Sequence, residues 1–345
     1  MKKARIFMAS VATMLLGTVA MPLAAHADSL MVNFENPPYT LGTINNQDGW
    51  SSLGAAGLGC ATYDHAVDSS LGTTGFGSQS LRISNAVTSG CFGDQTFSKS
   101  LTDEAGETSA QSGGLSGGSR QKHFEAQFSL ATTQSTEQTG LSMSVSPDRG
   151  DGARMSYLRF EDKSNGTHVF FDDYQDVTPF GTTVAANDVN GCGVGDNFVE
   201  SDVATLARGS VHTVKFSMDF VDGSRNDVVK IYIDGNLVKT GTSWEDYFRY
   251  CEGNPTRTVD SLLFRTGSSN NATNPGVAGK GFLVDNLSLS SGPIPVVLSN
   301  KDQCKNDGWK ASNTPVFKNQ GDCVSYFASN GKAQGNPVLA NHPTF

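Results

Sequence analysis

The chain has 345 residues, 38 of them glycine, and a formal net charge of −9 at pH 7. That length holds one large domain with a small appendage. An acidic chain with scattered lysines gains no counterion-release affinity for a phosphate backbone, which argues against nucleic acid as a partner. Its acidity reads as solubility and names no specific partner.

Lys2, Lys3 and Arg5 precede an apolar run from Ile6 to about Leu23, and Ala25-His26-Ala27 forms a small-residue cleavage site. This is the pattern of a bacterial secretory signal peptide over residues 1–27. A membrane anchor is the competing reading. It is weakened by Ser10, Thr13, Gly17 and Pro22 within the run. No later apolar stretch approaches the ~20 residues that a spanning helix needs. The chain is therefore expected to be secreted, extracellular and without a membrane span. Cys60, Cys91, Cys192, Cys251, Cys304 and Cys323 all follow the leader and are even in number, as expected for disulfides in an oxidising compartment. Their order favours Cys60–Cys91, Cys192–Cys251 and Cys304–Cys323, although sequence alone leaves the connectivity open. Zinc is disfavoured, because there is no C-x-x-C and no nearby histidine pair.

Strand signals then follow in order. Ser29–Glu35 places Leu30, Val32 and Phe34 on one face, and Ser80–Asn85 is a short strand. Between them, Trp50 follows the turn-forming Gln47-Asp48-Gly49 and could serve the core or a sugar. Residues 104–120 read as a Gly/Ser-rich loop. His123–Leu130 returns to strand with Phe124, Ala126, Phe128 and Leu130 inward. Leu141–Val145, Met155–Phe160 and Thr167–Phe171 follow, separated by Asp- and Gly-rich turns, and residues 172–201 read as irregular.

Val211–Trp244 carries the strongest pattern. Val214, Phe216, Met218 and Phe220 alternate with polar residues, as do Val229, Ile231 and Ile233. Asp234-Gly235-Asn236 supplies a tight turn, and Leu237 and Val238 begin a third strand. Thr258–Phe264 and Gly281–Leu289 close the body. Short strands with turns at this spacing predict an all-β fold, an antiparallel β-sandwich or jelly roll over residues 28–290. Residues 291–300, with Gly292-Pro293-Ile294-Pro295, read as a linker. Residues 301–345 form a small segment expected to be closed by Cys304–Cys323.

Three stretches carry a resemblance: His212-Thr213-Val214-Lys215-Phe216, Val229-Lys230-Ile231-Tyr232-Ile233-Asp234-Gly235, and Phe282-Leu283-Val284-Asp285-Asn286-Leu287. Together they resemble the concanavalin A-like, laminin G-like jelly roll of secreted bacterial proteins. The tail is similar to short cysteine-paired modules at the ends of such proteins. The resemblance implies that the last body strand pairs with the first. It also implies a carbohydrate-related role without choosing one, since such domains bind glycans, cleave polysaccharides or act as adhesive modules.

The residues narrow this choice incompletely. A jelly-roll hydrolase sets carboxylates two apart on one strand face. Glu200-Ser201-Asp202 comes nearest, but Thr205 stands where a second glutamate would fall, and the segment reads as irregular. Gln121-Lys122-His123 matches part of a lyase pattern but lacks its tyrosine motif. For glycan binding, an aromatic platform with polar neighbours is required. Trp244, Glu245, Asp246 and Tyr247 form the densest such cluster, with Tyr157, Arg159 and Tyr174 as further candidates. Asp162, Asn165, Asp172 and Asp173 flank a strand, Asp219, Asp222 and Asp227 bracket a hairpin loop, and both sets offer hard oxygens for a structural calcium, while ordinary turn chemistry explains the same residues. The expectation is a secreted lectin-like protein that binds carbohydrate or another extracellular ligand. A polysaccharide-cleaving enzyme and a structural or adhesive protein are the alternatives.

Overall fold

The computed structural model describes residues 28–52, 63–88, 95–113, 117–174, 198–266, 273–313 and 315–331. Residues 1–27, expected to be a signal peptide, and Cys60, Cys91 and Cys192 lie outside the described residues. The strands are β1 (Asp28–Val32), β2 (Gly42–Thr43), β3 (Tyr63–Ser69), β4 (Gln79–Thr88), β5 (Gln95–Phe97), β6 (His123–Thr132), β7 (Ser142–Asp148) and β8 (Leu158–Lys163). They continue with β9 (Gly166–Tyr174), β10 (Phe198–Leu206), β11 (His212–Asp219), β12 (Val228–Ile233), β13 (Asn236–Gly241), β14 (Ser261–Arg265) and β15 (Phe282–Gly292).

Period-two alternation decides which side chains meet. In β11 and β12, Val214, Phe216, Met218, Val229 and Ile231 have no exposed surface, and Phe124, Ala126 and Phe128 of β6 join them. The β12–β13 turn has Asp234 at φ 50° and Gly235 at φ 76°. Positive φ at both central residues gives the twist that a two-residue hairpin requires. One sheet runs β13-β12-β11-β6-β15-β4-β3-β2, with β1 also on β15, and the other runs β10-β9-β8-β7-β14-β5. Both are antiparallel, and together they form the jelly-roll sandwich. Asp28 of β1 lies opposite Ser291 of β15, so the first and last strands of the body are partners.

The core lies between the sheets, where Phe128, Phe160, Phe264 and Phe282 meet edge to face. Fully burying one such ring contributes about 1.5–3 kcal/mol. Trp50 belongs to this core: it stacks on Phe264, and its indole N–H donates to Tyr39 Oη at 3.1 Å.

The structure corrects the irregular reading of residues 172–201. β9 extends to Tyr174, and β10, an edge strand, begins at Phe198 and pairs with it. The tail has its own small cluster around Cys304, Phe317 and Cys323, with Leu298, Trp309 and Tyr326 against it. Cys304 and Cys323 are bonded, as expected, and Cys251 is also in a disulfide. The tail also holds a helix absent from the sequence reading, α1 (Gln320–Ala328). It is capped by Asn319, whose side chain accepts from the Asp322 N–H. No helix among the described residues is long and apolar enough to cross a membrane.

Candidate functional site

The outer face of the six-stranded sheet carries the site. Met143, Val145, Leu158, Phe160, Val169 and Phe171 point into the core, so the residues between them must face outward. Strand register sets those outward residues in rows. One row is Arg265, Ser144, Arg159, Phe170 and Asp202, and the next is Ser142, Glu161, His168 and Thr205. On the other side of the first row, Asp172 of β9 lies directly opposite Glu200 of β10.

This face is the floor of a groove of about 1080 Å³. Its wall is aromatic. Tyr157 and Trp244 stack with ring centroids 6.1 Å apart and planes at 21°, and the Arg154 guanidinium lies 5.6 Å and 5.9 Å from the two centroids. Phe198 meets Trp244 edge-on at 4.8 Å and Tyr247 at 5.4 Å. The Trp244 indole N–H donates to the Asp172 carbonyl at 3.1 Å, which ties wall to floor. One turn of π-helix, Tyr247–Cys251, presents Tyr247 to the groove, while Arg257 lies over the Phe248 ring.

Arg159 organises the charges. Its guanidinium donates to both oxygens of Glu200, at 2.7 and 3.1 Å, and to Glu161 at 2.6 Å, while it lies 4.1 Å from the Phe170 centroid. A fork of this kind fixes the position of a carboxylate. Asp172 differs. Burial first, and then the Glu200 charge opposite, raise its pKa to about 6 against the pull of Arg154 and Arg159. The floor therefore holds two neighbouring carboxyl groups, one clamped by arginine and the other inclined to keep its proton.

The structure brings together some of the expected ligand-binding residues. Trp244, Tyr247, Tyr157 and Arg159 line the groove, and so does Asp172. Glu245 and Asp246 do not, because the chain turns after Trp244 and both are wholly buried away from it. Tyr174 is also buried. It packs behind the wall against Phe198 and Tyr247, with its hydroxyl 3.1 Å from Cys251 Sγ.

The expected calcium ligands around β9 do not converge. Asp172 and Asp173 are consecutive in a strand and face opposite sides, and Asp173 accepts from the Thr242 N–H. Asp162 is taken up by Arg208 and the Gln138 N–H, and Asn165 Oδ1 lies 2.8 Å from His168 Nε2. His123 lies in the other sheet, between Asp219 and Glu125, and takes no part in the groove. Sequence reasoning set Glu200 and Asp202 aside, although their spacing of two was the signal that both face outward. It did not single out Arg154, Arg257, Arg265 or Phe198, which come from separate loops and strands.

No family model matches the chain, and no curated protein matches its sequence. Among solved structures, the fold is similar to a mutant alginate lyase in complex with alginate trisaccharide, at 15% identity and a TM-score of 0.41, covering 76% of this chain and 98% of that one. It is also similar to an endo-1,3-beta-glucanase from Streptomyces sioyaensis (13% identity, TM-score 0.43, 80% and 100% covered). A third is a beta-glucanase of Bacillus licheniformis (16%, 0.35, 76% and 97%). These are likenesses of fold, and at such identities and scores none of them carries an activity to this chain.

Proposed function

We propose that the groove holds a polysaccharide and that the chain cleaves it, with Asp172 as general acid and Glu200 as the opposing carboxylate. The observation that supports this most is the Asp172–Glu200 pair across β9 and β10. Residues directly opposite in an antiparallel pair have Cβ atoms about 4.5–5.5 Å apart. Carboxyl groups about 5–5.5 Å apart serve retaining glycoside hydrolysis, in which one protonates the leaving oxygen and the other attacks the anomeric carbon. The clamped Glu200 suits the attacking role, and Asp172, which keeps its proton to a higher pH than an ordinary aspartate, suits the acid. Tyr157 and Trp244 offer ring faces for sugars, and the groove arginines favour a glycan with acidic substituents.

The test is an assay of the purified chain on neutral and acidic polysaccharides for new reducing ends and for unsaturated products. Reducing ends without unsaturation, lost in both Asp172→Asn and Glu200→Gln, are the expected result. Unsaturated ends would replace hydrolysis by elimination. Glycan retention with no product would replace the enzyme by a binding module, a reading that the stacked Tyr157–Trp244 pair also supports.

A further inference from the structure

At the end of the sandwich behind Trp244, the loop that follows β11, the segment after β13 and the loop before β6 bring three acids together. Ligand oxygens of Glu107, Asp227 and Glu245 all lie within 4.8 Å of one another, and the residues are only 1%, 3% and 0% exposed. Two oxygens on one cation, each at 2.3–2.6 Å, can be no more than about 5 Å apart, so the spacing fits a shared ion.

A second observation is independent of the cluster. Asp246, wholly buried, has an oxygen, Oδ2, without a hydrogen-bond partner, and Asn226 Oδ1 is likewise buried and unpartnered. Asn226 touches the cluster, and Asp246 directly follows Glu245 in the chain. The Asn226 N–H donates to Glu245 Oε1 at 3.3 Å, and the Asp246 charge acts on Asp227 and Glu245. Arg249 pairs with Glu107 at 2.7 Å, Asp246 at 3.3 Å and Glu245 at 3.5 Å, so three carboxyl groups share one guanidinium. Burying charge on that scale costs several kcal/mol unless protons or a metal offset it.

We propose that Glu107, Asp227 and Glu245 hold a divalent cation of the calcium class, with Asn226 Oδ1 as a further oxygen donor and the Asp246 carboxylate supporting the site from beside it. The set is all oxygen and mostly anionic, which selects a hard cation over zinc or copper. Glu245 and Asp246 directly follow Trp244, so the ion would pin the segment that carries the groove wall. This inference does not depend on what the groove does.

The test is calcium titration of the chelator-treated, purified chain by calorimetry and by thermal melting. Terbium luminescence excited through tryptophan reports the site, because Trp244 adjoins Glu245. One calcium per chain, a higher melting temperature and terbium emission are expected, with all three lost in Glu245→Gln. Asp246→Asn leaves the three-acid core in place and is expected to weaken affinity about tenfold, which decides the matter if Glu245→Gln does not fold. Absence of stoichiometric calcium uptake overturns the proposal, and so does uptake that both variants leave unchanged.

Discussion

Asp172, half-buried in the groove, and Asp260, buried in the interior, are acids with opposite consequences. Asp172 serves as an acid only while protonated, so cleavage is expected to fall as pH rises through about 6, with the limb absent from the residual rate of Asp172→Asn. Loss of either groove carboxyl group is expected to lower kcat about 10²–10⁴-fold with the melting temperature little changed. Asp260 lies in the interior with both carboxyl oxygens lacking hydrogen-bond donors, and burial, then the charges of Glu104 and Asp148, push it up to about 7. Its folded pKa exceeds the unfolded one, so the folded state binds the extra proton. That stabilisation is complete below about pH 4 and is lost as pH rises to about 7. Asp260→Asn is expected to flatten the decline and raise the melting temperature by several degrees at pH 8, as read by melts across that range.

At the scale of elements, the wall divides by burial. Trp244 packs against Phe198, Tyr157 and Tyr247 and is only 9% exposed, so its truncation would damage folding as well as binding. Tyr157 is half-buried and gives a cleaner measurement. Tyr157→Ala is expected to raise KM about tenfold with kcat nearly unchanged, because a stacking platform binds ground and transition states alike. The same elements show what the sequence could reveal. The β11–β13 meander was legible because one face is buried and the other wet, which writes period two into the residues. β10 was not. As an edge strand it buries little, and its register slips between Asp202 and Ala204, so Phe198–Leu206 never alternates cleanly. The aromatic cluster after β13 was visible as composition. Its orientation was not, because one turn there sends Trp244 and Tyr247 to the groove and Glu245 and Asp246 inward. The arginines of the floor come from strands far apart in the chain, and only the sheet order makes them neighbours.

In the whole molecule, the tail cluster and the main core are separate, and the Cys304–Cys323 bond closes a segment with a sequence separation of 19. A loop of that size is stabilised by about 3 kcal/mol through its cross-link. Cys323→Ser is expected to make the tail sensitive to limited proteolysis while the main melting transition of the body stays in place. A different consequence follows from the partnership of β1 with β15. Both ends of the body lie side by side in the nine-stranded sheet, whereas the groove opens from the outer face of the opposite sheet. Immobilised through either end of the body, the molecule would turn its groove outward, free to meet a polymer too large to diffuse to it.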